Sequence, residues 1–165
     1  VAPEEMIERV NSIAKKMRID HILDKHPLTL SGGQVQRVAL GSSIIMNPEI
    51  IVLDECTSQL DPLGSEEIFD IIKELNSNGL TVILVDHDME RVARTADRIM
   101  VLDGGKIRMI DTPENVFGNE SLPSFHVGVP DFTAIGKQLD EENPRVIIRE
   151  EDAIDLVRKM VSNEN

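Results

Sequence analysis

Tryptophan and tyrosine are absent from the 165 residues, and phenylalanine occurs four times. The core must therefore be aliphatic, and the stacking platforms used by single-strand nucleic-acid binders are missing. Basic residues are scarce, 17 against 30 acidic ones, for a formal net charge of −13. That balance argues against nonspecific binding to nucleic acid or to an anionic lipid surface, both of which need surplus Lys and Arg. The single cysteine, Cys56, excludes an internal disulfide and fits a reducing compartment. No apolar run reaches the roughly 18 residues of a membrane span, so direct insertion is not expected. Val1-Ala2-Pro3-Glu4-Glu5 is acidic and is not a signal peptide. An opening Val in place of Met, without a processing signal, reads as the start of a fragment of a longer product.

What is present is a 41% hydrophobic chain with one domain's worth of core. Two stretches organise it. Leu30-Ser31-Gly32-Gly33-Gln34 reads as a glycine-bearing turn opening a helix, since Val35, Val38, Ala39, Ile45 and Met46 follow at helical spacing. Such an entrance carries free N–H groups and the positive end of the helix dipole, and the Ser31 hydroxyl adds a donor suited to phosphate oxygens. The second stretch, Ile50-Ile51-Val52-Leu53-Asp54-Glu55, has the pattern of a strand buried on both faces that delivers two carboxylates to a sheet edge. Ligands of α/β sheets bind at that edge.

Around these stretches the chain alternates. Pro3 to about Arg18 is expected as an amphipathic helix packing Met6, Ile7, Val10, Ile13, Ala14 and Met17 on one face. His21 and His26 sit in a polar connection without a second ligand pair and read as loop histidines. Asp61-Pro62 opens the next helix, with Ile68, Phe69, Ile71, Ile72 and Leu75 inward, and Asn78-Gly79 closes it. Thr81–Val85 is a second buried strand, parallel to the first through the helical crossover, and it ends in Asp86 and His87 ahead of an Asp88-capped helix. On that topology His87 falls at the same sheet edge as Asp54 and Glu55. Asp103-Gly104-Gly105 joins a hairpin, and Thr112 to Phe117 is a short capped helix. Beyond Gly118 a helix is expected near Asp131 to Leu139, then a short strand or docking segment at Val146 to Ile148. A last helix, Glu151 to Val161, is expected to turn Ala153, Ile154, Val157, Met160 and Val161 inward. The acidic blocks Asp140–Glu142 and Glu150–Asp152 read as solvated faces.

Together these residues resemble the C-terminal two-thirds of an ABC transporter ATPase domain. Leu30–Gln34 matches the LSGGQ signature and Gln36-Arg37 the residues that usually follow it; Ile50–Glu55 matches the Walker B strand with its added glutamate. Ser58-Gln59-Leu60-Asp61 matches the D-loop, His87 the switch histidine, and Asp97–Ile107 the strand pair after it. Asn47-Pro48 and Thr112–Phe117 are similar to importer ATPases, and the C-terminal lobe to the cobalt/nickel and energy-coupling-factor type. The resemblance implies an α/β, P-loop NTPase-like parallel sheet, incomplete here, with a helical signature segment (1–46), a partial catalytic core (47–117) and a small appended lobe (118–165).

By that resemblance Asp54 would hold the Mg²⁺ coordination shell, Glu55 would polarise the attacking water, and His87 would touch the γ-phosphate of ATP. Ser31, Gly32, Gly33 and Gln34 would bind the ATP held by a second ATPase subunit, the same or a sister chain, with Ser58 and Asp61 communicating across that interface. The partners implied are that subunit and a transmembrane permease, with a cytoplasmic location, peripheral on the inner face of the membrane. The function implied is ATP hydrolysis coupled to import of a metal ion or vitamin. Cys56 stands where the family usually has Pro, and Asp86 where Thr is common.

No G-x-x-x-x-G-K-S/T occurs in the chain and no glutamine loop precedes the signature helix, so both are expected N-terminal to Val1 and the isolated chain is expected to bind nucleotide very weakly. Loss of the strand that carries the phosphate loop would leave an unpaired apolar sheet face. Two other readings compete. A nontransport ABC ATPase head of DNA repair or chromosome organisation reaches its signature through long coiled coil, whereas Glu4–Met17 is one short helix and the acidity offers no DNA surface. A noncatalytic interaction module would keep Asp54, Glu55 and His87 as structural residues only.

Overall fold

The computed structural model describes residues 2–139, 146–147 and 149–163, and the chain divides into two compact units, 1–85 and 86–165. Ile148 and the acidic block at 140–142 lie outside the described residues, as does the side chain of Met160.

The first unit begins with α1 (Pro3–Lys16), whose Glu4 and Glu5 sit at the positive end of the helix dipole and Lys15 and Lys16 at the negative end. Ala14 and Met17 are buried at its C-terminal end, but Met6, Ile7 and Val10 are 55%, 61% and 42% exposed. The expected full-length apolar face is thus used only in its second half, where α1 meets α2 (Gly32–Ile44). Gly41 of α2 permits that approach: a Cβ there would stand 3.1 Å from Ile13 Cγ2 and 3.2 Å from Met17 Cγ. Two 3₁₀ turns, Asp20–Ile22 and Pro27–Thr29, fill the intervening connection.

Strand β1 (Ile50–Asp54) pairs in parallel with β2 (Thr81–Val85), Ile50 opposite Thr81 and Asp54 opposite Val85. The crossover between them is α3 (Pro62–Ser77), with Pro62 in its first turn and Gly79 at φ +97° just past its end. Ile51 and Leu53 join Ile68, Phe69, Ile71 and Ile72 of α3 and Leu40 and Ile44 of α2 in one aliphatic core. The other face of the strands is bare. Ile50 and Val52 are 58% and 62% exposed, and Ile83 and Val85 are 50% and 51% exposed. Burial on both faces, expected from the apolar runs, is not met, since the strands alternate and helices cover one face only, while an open apolar sheet face is what the lack of the phosphate-loop strand led one to expect.

The second unit holds α4 (Met89–Thr95) and an antiparallel hairpin of β3 (Ile99–Asp103) and β4 (Lys106–Asp111), with Gly104 and Gly105 at φ +56° and +72° in the turn. It then continues through α5 (Pro113–Gly118), α6 (Asp131–Leu139) and α7 (Glu150–Asn163). Its core gathers Ala93, Val101, Val116, Phe117 and Leu122. The cap of α5 differs from expectation: the Thr112 side chain makes no capping bond, and Asp111 Oδ1 instead accepts from Thr112 N–H at 2.7 Å and Asn115 Nδ2 at 2.8 Å. Val146 and Ile147 form no strand. They dock: Ile147 is buried, its carbonyl accepts from the Thr133 hydroxyl, and Val146 lies against Gly118. Among the described side chains of α7, Leu156 is buried, whereas Ile154, Val157 and Val161 are exposed. Of the expected inward residues, Ala153 is partly buried beside Leu156, while those three are turned to solvent.

Candidate functional site

The two strand-end carboxylates follow from the backbone around them. Asp54 is the last residue of β1, and Glu55 turns out of the strand at φ +46°, a left-handed conformation uncommon for a residue with a Cβ. The bend is held from both sides: the Glu55 N–H donates to the Val85 carbonyl at 3.0 Å, and its own carbonyl accepts from the Ser58 N–H at 3.1 Å. Both acids are exposed. They open into a cleft of about 570 Å³, lined also by Gln36 and Ser43 of α2, Val52 of β1 and Ser58. Gln36 Nε2 donates to Ser58 Oγ at 3.4 Å across that cleft.

The α2 entrance is a capping box. Ser31 Oγ accepts from the Gln34 N–H at 3.3 Å, and Gln34 Oε1 accepts from the Ser31 N–H at 3.1 Å. The N–H groups of Gly32 and Gly33 lie in the first turn, where a helix offers them no partner of its own, and Ser31 keeps its hydroxyl proton for donation. Ser31 and Gly32 are exposed. The loop after β1 backs this entrance: a Cβ on Gly32 would stand 2.7 Å from Gln59 Oε1, and one on Gly33 2.8 Å from Leu60 Cδ2. Asp61 ends that loop and caps α3, accepting from the Gly64 N–H at 2.6 Å.

The first unit thus makes two groupings. Asp54 and Glu55 share the cleft with Gln36 and Ser58, while Ser31, Gly32, Gly33 and Gln34 sit against the Gln59–Asp61 loop and are not among the cleft-lining residues. His87 belongs to the second unit, where it is exposed and stands between Asp86 and the α4 cap Asp88.

Two arginines behind these groups carried no role in the sequence reading. Arg37, its side chain 12% exposed, donates to Glu67 Oε2 of α3 at 2.7 Å and to the Met17 carbonyl at 3.2 Å, so it fastens α2 to α3 and to the end of α1. Arg18 pairs with the other Glu67 oxygen. Arg91 joins Asp86 and Asp88 around His87. The spacing of Asp88 and Arg91, three apart at a helix start, was the available signal.

As candidate ligands for a metal ion, Asp54 and Glu55 offer oxygen donors suited to a hard cation. The described residues contain no group of three or more His, Cys, Asp or Glu able to hold an ion alone. That donor set suits Mg²⁺, which keeps several waters and shares its shell with one or two carboxylates and substrate phosphates.

The fold is that of an ATP-binding cassette: the ADP conformation of MJ1267, an ATP-binding cassette of an ABC transporter, is similar at TM-score 0.67 and 27% identity over 78% of this chain and 52% of that one. The ABC transporter family matches residues 2–58. The chain is 40% identical over 149 residues to the energy-coupling factor transporter ATP-binding protein EcfA2 of Acetivibrio thermocellus, covering 87% of this chain and 53% of that protein. It is 41% identical over 162 residues to the EcfA1 protein of Caldanaerobacter subterraneus, covering 95% and 58%. Among solved structures it is similar to cbiO1 from Clostridium perfringens, part of the ABC transporter complex cbiONQ, with TM-score 0.65 and 29% identity over 87% of this chain and 53% of that one. The chain belongs to the ABC transporter ATP-binding family, and it spans little more than half the length of these relatives.

Proposed function

We propose that this chain supplies the signature helix, the strand-end acids and the switch histidine of an ATP-hydrolysing subunit of an importer of the energy-coupling factor or cobalt type. The observation that carries the reading is the separation of two groupings within the first unit, acids in a cleft and a capped Gly-Gly entrance outside it. That is what a head-to-tail pair of subunits requires, each nucleotide being held between the acids of one and the signature of the other.

In this reading Glu55 accepts the proton of the attacking water, and the φ +46° bend presents its carboxylate past the strand end. Asp54 shares the shell of Mg²⁺, which when bound neutralises charge on the β- and γ-phosphate oxygens. His87 donates to the γ-phosphate and registers its loss. Ser31 Oγ–H and the Gly32 and Gly33 N–H groups bind the γ-phosphate of the neighbouring subunit's ATP, with the Gln34 side chain fixing the Ser31 backbone. Asp61 shapes the loop that meets the partner. The partners are a second ATPase subunit and a membrane permease, which selects a metal ion or vitamin and places the chain on the inner membrane face. Among the described residues no helix is long and apolar enough to cross a membrane.

The phosphate cradle must be supplied by sequence outside these 165 residues, since no G-x-x-x-x-G-K-S/T occurs in them. The test is calorimetric titration of the chain with Mg-ATP, alone and with that segment added in trans. Binding is expected to be weaker than about 1 mM alone and micromolar once the segment is present. Micromolar binding by the chain alone would refute the reading.

A further inference from the structure

His87 is framed by a charged clasp within the second unit. The Asp86 side chain is 5% exposed. Its Oδ1 accepts from the Asp88 N–H at 3.0 Å, closing a side-chain turn over His87. Its Oδ2 faces Arg91 Nη1 at 3.2 Å. The other arm of the guanidinium, Nη2, reaches Asp88 Oδ2 at 2.9 Å, while Asp88 Oδ1 accepts from the Arg91 N–H at 3.0 Å. One planar cation, 18% exposed, therefore ties together the residues on either side of His87.

A carboxylate as buried as Asp86 needs a cationic partner, because its lost hydration is not replaced by one backbone N–H alone. Arg supplies that charge as a rigid fork, so it also fixes direction, which a Lys ammonium does less well. A Thr at position 86, common in the resembled family, would carry no charge to neutralise. The Asp86–Arg91 pair therefore imposes a constraint on the turn that a neutral residue would not.

We propose that Arg91 is a positioning residue for His87, acting through Asp86 and Asp88 to hold the His87 backbone in a single turn conformation. The proposal rests on the reading of His87 as the phosphate-sensing residue, and Arg91 itself touches no substrate.

The test uses the full chain without nucleotide, so it is independent of turnover. Amide hydrogen exchange at Asp88 and the ¹H–¹³C signals of the His87 ring are followed by NMR, with Val101 and Val116 methyls reporting the intact core. In Arg91→Gln, Asp88 exchange is expected to rise about tenfold and the His87 ring signals to broaden or divide. Arg91→Lys, keeping the charge without the fork, is expected to recover protection to within about threefold of wild type. In an Asp86→Asn background, which keeps the turn acceptor but not its charge, only the Asp88 arm of the clasp remains, so adding Arg91→Gln should raise exchange by clearly less than the same substitution does in wild type. If Arg91→Gln alone fails to fold, a folded Asp86→Asn/Arg91→Gln variant supports the coupling and an unfolded one overturns it. Unchanged Asp88 exchange and His87 signals in Arg91→Gln would overturn the proposal, as would an equal effect of Arg91→Gln in both backgrounds. Failure of the phosphate-sensing reading would show separately, as unaltered ATP turnover of His87→Ala in an assembly supplied with the phosphate-cradling segment.

Discussion

Gly33 lies flush against Leu60: a Cβ at position 33 would stand 2.8 Å from Leu60 Cδ2. The signature helix entrance and the loop after β1 are consequently one packed surface, and the glycine is required by its own neighbour as well as by any ligand. Gly32 meets a softer obstacle, the Gln59 amide oxygen at 2.7 Å.

The two glycines should therefore respond differently to alanine. Leu60 packs against the core and can shift little, so Gly33→Ala should cost about 1 kcal/mol or more. Gln59 is exposed and can swing away, so Gly32→Ala should change stability by less than about 0.5 kcal/mol. Urea unfolding of the two variants beside wild type checks the contrast.

Arg37 fastens α2 to α3 through Glu67 at 2.7 Å. Removing the cation alone, as Arg37→Met, strands a mostly buried carboxylate, though Glu67 keeps Arg18. A loss of about 2 kcal/mol is expected, with Arg37→Met/Glu67→Leu recovering most of it. A double-mutant cycle by denaturant unfolding measures the coupling, and additive effects would rule the interaction out.

Glu55 pays for its position with a left-handed backbone at φ +46°. Glu55→Gly relieves about 1 kcal/mol of that strain and gives up a similar amount in unfolded-chain entropy, so its stability should stay near wild type. Glu55→Val, β-branched, should be about 1–2 kcal/mol less stable than Glu55→Gly. Thermal unfolding separates them.

The Asp111 carboxyl is held below its ordinary value of 3.8 by the Asn115 side-chain amide first and then by the Thr112 N–H, with desolvation opposing and the Arg98 charge adding the least. A carboxyl depressed in the folded state contributes stability that is present above its unfolded pKa and lost as pH falls through the folded one. Asn115→Ala should raise the Asp111 midpoint in an NMR titration. Its unfolding midpoint should fall below wild type at neutral pH, and the gap should narrow as pH drops below the folded pKa of Asp111.

Much of this was legible in the sequence because the signals were local. Asp61-Pro62 and Asp88 cap the expected helices, Gly104-Gly105 turns the expected hairpin, and the apolar runs at Ile50 and Thr81 pair in parallel. The failures were tertiary. Four consecutive apolar residues in β1 suggested two covered faces, yet Ile50 and Val52 remain open; the strand's own pattern could not report this, and only the lack of the phosphate-loop motif pointed to an unpaired apolar face. The apolar spacing of α1 and α7 likewise could not say which turns meet a neighbour. Thr112 makes no capping bond, and Asp111 just before it instead holds the helix start through the Thr112 N–H and the Asn115 side-chain amide, a contact with a side chain four residues on that the capping pattern does not report. Arg37 and Arg91 were missed because an arginine's burial is set by distant carboxylates or a folded turn rather than by its neighbours in a hydropathy pattern.

The central claim, that Glu55 serves as the base in ATP hydrolysis, is tested most directly by Glu55→Gln in an assembly supplied with the phosphate-cradling segment. The amide keeps the size of the side chain but cannot take a proton from water. Turnover should fall at least about a hundredfold while Mg-ATP affinity stays within about twofold of wild type. Turnover that persists at the wild-type rate would contradict the assignment.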